Sequence, residues 1–282
     1  MTVNDNLESP VPDLRRRLFD GILANDDITP DAALPERIPF EFPDMDFARC
    51  FDLCREVWAD GMDRSALYEL AVRMARARAI PEDDKRPLSD VRARYKHLRF
   101  AFAVFGALDR YPAAFNILTN AMGHLQDAAT NDKPGRIAAN ARLMQFMTSA
   151  PLFALVQRNV DGFRPTGIDA FRAYRIRQTG ALADYLAMDK VTPHQFHNSR
   201  KVISRFRAYF NTLQCLYDDP GIGDTATCLA TLNGMMGNYH DELIARKLDG
   251  TMNYFRDRID FPPDIRRRLE EYCRAASNGD DC

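Results

Sequence analysis

Two stretches of this chain, 108 residues apart, repeat one pattern, and that repeat constrains the fold more than any other feature of the sequence. LSDVRARYKHLRFAFAVFGAL begins at Leu88 and FHNSRKVISRFRAYFNTLQCL at Phe196. Aligned, Arg92 falls on Arg200 and Arg99 on Arg207, while Lys96 meets Ser204 and His97 meets Arg205. A second pair follows at an offset of 114. NILTNAMGHLQD, ending at Asp127, matches ATLNGMMGNYHD, ending at Asp241, with Leu118 on Leu232, Met122 on Met236 and Gly123 on Gly237. The change in offset falls in the connecting loops, 110–113 and 218–224. Either match alone is weak, because helices of similar composition coincide often. Both in the same order, with the length change confined to a loop, indicate duplication.

The surrounding pattern is helical. Apolar residues recur at helical spacing over 89–109, 113–130, 136–147, 151–159, 167–188, 193–217, 226–248 and 263–276, after earlier stretches around 47–58 and 67–80. Sustained alternation with period two is nearly absent. The expected fold is all-α, two helical bundles related by a pseudo-two-fold axis, with helices 89–109 and 197–217 near that axis. Residues 1–46 form an acidic, Pro-rich leader; 47–282 form the helical domain, made of two repeats, about 47–160 and 161–282. Prolines at 10, 12, 30, 35, 39 and 43 make the leader extended. One amphipathic piece, Leu14–Leu23, reads as a short helix.

A chain of 282 residues buries a substantial core without staples, and 46% hydrophobic with 28% charged residues is a globular balance. The longest apolar run, 100–108, falls well short of the ~18 residues a membrane span needs. No membrane association is expected. MTVNDNLE at the start is polar and acidic, which argues against a signal peptide. Cysteines at 50, 54, 215, 228, 273 and 282 form no CxxC pair, so reduced thiols in a cytoplasm are expected. Of 38 basic residues only 6 are lysines, and arginine is the better fork for phosphate and carboxylate. The net charge of −2 is segregated, because residues 1–46 hold 11 acids and 4 bases and the remainder is mildly basic.

On a helix, positions +0, +3, +7 and +10 share a third of the circumference. From His197 these are Arg200, Ser204 and Arg207, with Arg205 on the flank; from Ser89 they are Arg92, Lys96 and Arg99, with His97 flanking. Each is a ridge of donors opposite an apolar side (Phe206, Phe210 and Leu213; Leu98, Phe102 and Phe105). No acid occurs between Phe196 and Phe210. An ordinary solvated face is the competing reading of each ridge. Two ridges face to face would make a cationic groove suited to a polyanion.

VTPHQFHNSRKVISRFRAYF, the later GNYHD and the two-fold repeat resemble the CHAD family, the conserved-histidine α-helical domain. The resemblance implies a basic groove that binds inorganic polyphosphate. Carried over, it assigns polyanion contacts to His197, Arg200, Arg205 and Arg207 in the second half and to Arg92, Lys96 and Arg99 in the first. The chain departs from the pattern at Ser89, where the first-half histidine belongs, at Ser204, and in its overall charge.

Other constellations carry less. Asp26 and Asp27 with Asp31, or Asp127 with Asp132, have the composition of a Mg²⁺–diphosphate site, but the first set lies in the leader. Asp127 is better read as the repeated acid that anchors the ridge arginines. Arg92 and His97 match a loose spacing of helical ribonucleases. Cys50 and Cys54, one turn apart, read as core thiols rather than half a metal site, and His124, His194 and His240 share no spacing. Phosphate loops and nucleophile elbows are absent. The expected function is non-catalytic binding of polyphosphate or a comparable polyanion, with no catalytic residue, metal or cofactor assigned. A Mg²⁺-dependent enzyme acting on diphosphates and a protein–protein adaptor that lost the ligand are the alternatives. Nucleic acid is less favoured, because the ridges have few aromatic neighbours for stacking.

Overall fold

The computed structural model describes residues 13–24, 27–42, 44–61 and 63–277. Among them the chain forms eleven helices and no strand, and its only extended pairing is an isolated antiparallel bridge between Val191 and Ile259. The fold is all-α, as the periodicity requires. Side-chain caps set several helix starts by accepting the first free amides. Asp13, Asp46 and Asp63 cap α1 (Leu14–Leu23), α2 (Phe47–Asp60) and α3 (Arg64–Ala77). After α4 (Glu82–Phe105), α5 (Ala113–Thr130), α6 (Pro134–Met147), α7 (Ala150–Asp161) and α8 (Ile168–Ala187), a complete capping box opens α9 (Pro193–Leu216). There Thr192 accepts from the Gln195 amide and Gln195 returns the bond. Asp219 caps α10 (Pro220–Leu248), and α11 (Pro263–Ser277) closes the described chain.

Three helix boundaries differ from the sequence pattern by four residues or more. α4 starts at Glu82 rather than 89 and carries Pro87 inside it. Its first turn holds Glu82, Asp83 and Asp84, where the helix dipole favours negative charge, and this offsets the one amide the proline removes. It stops at Phe105 rather than 109. A β-carbon on Gly106 would stand 2.6 Å from the Phe102 carbonyl oxygen and 2.6 Å from the Phe163 ring, so only glycine fits that close approach. α10 starts at Pro220 rather than 226, because a proline in the first turn and the Asp219 cap outweigh Gly221 and Gly223.

α4 and α9 pack against each other at the centre, and each also packs on its following helix, α5 or α10. The apolar sides expected of the two ridges are buried: Leu98, Phe102, Phe105, Phe206, Phe210 and Leu213 are each at most 1% exposed. Phe105 meets Tyr209 across the junction at 5.7 Å between ring centroids, and Phe171 stacks behind Tyr209 at 5.0 Å. Beyond the leader, six helices, α2 to α7, precede residue 162 and four, α8 to α11, follow it. The repeat in the sequence falls on the pairs α4–α5 and α9–α10.

The leader is tied down along its described length. α1 packs on α2, α4 and α9. Beyond it, the Thr29 amide donates to Thr231 of α10 at 3.1 Å, and Arg268 of α11 donates to the carbonyls of Pro30 and Ala32 at 2.7 and 2.8 Å. Ile38 and Phe40 are buried, and Phe42 is half-buried against Tyr217. Phe40 touches the rings of Phe206 and Phe210, takes the Arg175 guanidinium over its face, and offers its carbonyl to the Tyr209 hydroxyl. Replacing Phe40 by alanine is expected to cost about 3–5 kcal/mol, the range for an emptied aromatic core site. The urea midpoint of Phe40→Ala against wild type measures it.

Candidate functional site: a cationic cleft between α4 and α9

The ridges expected from the sequence do meet, but they divide into three groups. The first lines a cleft of about 230 Å³. Ser89, Arg92, Lys96 and His97 come from α4, Ser204 and Arg207 from α9, Asn233 from α10, and the end of α1 (Ile22, Leu23, Ala24) closes one side. No acidic side chain lines it among the described residues. Arg207 donates to the carbonyls of Gly21 and Ala24 at 3.5 and 3.1 Å, so a cation sits at the carbonyl end of α1, where the helix dipole favours it. Ser204 is buried and donates to the Asn233 side chain at 2.6 Å.

The second group lies alongside. Arg99 and Arg205 approach the Tyr111 ring at 5.3 and 5.7 Å from its centroid. Arg99 donates to the Asn120 carbonyl oxygen at 2.7 Å. Arg205 donates to the hydroxyls of Tyr111 and Tyr174 and to Gln178. Burial holds the Arg99 guanidinium below the usual arginine range, and the charges of Arg92 and Arg205 push it the same way against the pull of Tyr111. Lys201 is lowered by burial and then by Arg205 and Arg99. A continuous cationic band thus runs from Arg92 through Arg99 to Arg205 and Lys201.

The third group gathers at α10. Its His240 ring stacks on His197 at 4.6 Å between centroids and bonds the Tyr254 hydroxyl at 3.0 Å. Burial first, and then the neighbouring His240, Lys201, Arg200 and His194, push His197 down to about 3. Arg200 lies against Gly237, where a β-carbon would stand 2.9 Å from its Nη2, and Arg92 lies over Gly123 in the same manner at 3.9 Å. The aligned arginines therefore meet the aligned glycines. The Nε atoms of Arg99 and Arg200 are buried with no acceptor among the described residues.

Some expected roles change. Asp127 makes no ion pair with Arg92; its charge supports Arg92 and His240 from beyond contact distance. Asp241 stands 3.6 Å from His240 rather than beside Arg200. His97 is not a flank residue but 5% exposed, in contact with Cys54 at 3.5 Å and Thr212 at 3.2 Å. Burial raises the Cys54 thiol far above its ordinary range, which does not suit it to act as a nucleophile with His97 as its base. Cys50 is likewise buried, and all five described cysteines are free thiols. Asp27 and Asp31 lie in the strap, while Asp26 falls outside the described residues. No three His, Cys, Asp or Glu side chains converge as a metal site among the described residues. No described helix is long and apolar enough to cross a membrane.

Sequence spacing missed Lys201, Tyr111, Asn120 and Asn233. Lys201 had a signal, since it stands one turn before Arg205. Tyr111 had none, because it sits in the loop between α4 and α5. Comparison with known proteins found no matching family model, no matching curated protein and no matching solved structure.

Burial, followed by the charge of Arg207, lowers His97 from 6.5 to about 3, which keeps it neutral in the fold. Acid therefore favours the unfolded chain. The contribution of neutral His97 is complete above about pH 6.5 and is lost as pH falls toward 3, on the order of 2 kcal/mol by pH 5. His97→Gln is expected to flatten the fall in stability between pH 7 and 5. Urea unfolding of both proteins across that range measures it.

Proposed function

We propose that the α4–α9 cleft is a non-catalytic binding site for inorganic polyphosphate or a comparable phosphorylated polyanion, in a CHAD-like protein. The observation that carries this reading is the meeting of Arg92, Lys96 and Arg207, from two helices, around one cleft. The band through Arg99, Arg205 and Lys201 supports it: burial first, and then neighbouring cations, lower Arg99 and Lys201, and an anion would offset both costs. The buried Nε donors of Arg99 and Arg200 also lack acceptors among the described residues. Donors without an activated nucleophile suit holding rather than reacting. The buried free thiols suit a reducing compartment such as the cytoplasm.

The adaptor reading has its own observation. Ser204 and Arg205 already have internal partners, and the end of α1 already engages Arg207. Calorimetric titration with polyphosphate of several chain lengths at two salt concentrations separates the readings. Binding should tighten with chain length and weaken with salt, and Mg²⁺ should compete rather than be required. Arg92→Gln/Lys96→Gln should weaken it about tenfold, as loss of two screened phosphate contacts implies. No binding at low salt by the folded protein would leave the adaptor reading.

A further inference from the structure

The face built by α3 and α6 carries a second concentration of cations, away from the central cleft. Segments 64–80 and 133–148 together hold seven arginines and lysines and one acid, Glu69, in a chain of net charge −2. Where α3 packs on α6, a cleft of about 310 Å³ opens between them. Arg76 and Arg78 form one wall and Arg142 the other, over Val72 and Ala75.

Nothing within the described protein accounts for these three guanidiniums. All are exposed, and none makes a hydrogen bond or an ion pair there. One turn earlier on α3, Arg73 holds Asp84 through a two-point contact at 2.7 and 3.1 Å, while Glu82 is held by Lys85 at 2.6 Å. Asp84 and Glu82 are thus engaged elsewhere. Gln145 donates across to the Tyr68 hydroxyl, which leaves the arginines as the charged groups of the wall. Arg78 ends α3 in the left-handed region, at φ 53°, and its Nη2 lies 3.8 Å from where a β-carbon on Gly135 would stand. That is the first turn of α6, whose dipole repels a cation.

We propose that the α3–α6 cleft is a second anion site, for a compact phosphate-bearing ligand of diphosphate size. Guanidinium forks from two walls around one volume suit a tetrahedral, multiply charged anion better than a single planar carboxylate. The apolar floor sheds water and strengthens those contacts. The site stands on its own residues and does not require the α4–α9 cleft to bind polyphosphate.

Isothermal titration of the full chain with inorganic pyrophosphate at low salt tests it, in wild type, in Arg76→Gln/Arg142→Gln and in Arg92→Gln/Lys96→Gln. Loss of two charge-assisted contacts should weaken pyrophosphate about tenfold in the first variant, while the second stays within about twofold of wild type. Arg76→Lys/Arg142→Lys keeps the charge but removes the forks, and it should fall between the two. Competition with orthophosphate and with long-chain polyphosphate then separates a free phosphate ligand from a chain end. No binding of pyrophosphate by wild type, or equal affinity in wild type and Arg76→Gln/Arg142→Gln, overturns the proposal.

Discussion

The contact between α4 and α9 is the interaction on which the rest of the molecule depends. Each helix gives its aromatic side to the core, and the residues left over are cations that the same contact half-buries. Burying charge is costly unless it is met by oxygen. Arg99 and Arg205 are met by an amide, two phenols and a glutamine carbonyl, none of them charged. A carboxylate in those places would hold the guanidinium and cancel it. Neutral acceptors hold it and leave its field standing, so Arg99 and Arg205 keep their charge at the centre of a chain of net charge −2.

That device explains why composition was a poor guide to this protein. Formal charge counts Asp and Glu wherever they occur, yet many acids here are engaged at the surface as caps or as partners of exposed arginines, as with Asp13, Asp46 and Glu41. The cations that matter are those separated from such partners by packing. A near-neutral total is therefore compatible with two local concentrations of positive charge, one at the centre and one on the α3–α6 face.

How much was legible follows the same division. Helical spacing placed Arg92, Lys96 and Arg207 together because their elements are long and regular. The bounds of α1 were readable because Asp13 and an amphipathic face mark them. Proline and glycine obscured the starts of α4 and α10, where an acidic first turn and an aspartate cap prevailed. The pattern could not show that Arg205 turns toward tyrosines on a loop and another helix. The α3–α6 cleft was invisible in sequence, since Arg76 and Arg142 lie far apart and neither belongs to the repeat. His97 was misplaced because a polar residue beside a cationic face reads as solvated until the partner helix is known.

The strap through Phe40 also sets an order of assembly. Its carbonyls receive Arg268, and its amide at Thr29 finds Thr231, so this segment is secured by helices made more than 200 residues later. Contacts of such separation close slowly, because a long loop must lose its freedom before they form. On the ribosome, which adds residues over seconds, Phe40 lacks its ring partners Phe206 and Phe210 until α9 has emerged. The aromatic strap is thus also apolar surface that this chain leaves without its late partners for much of its synthesis.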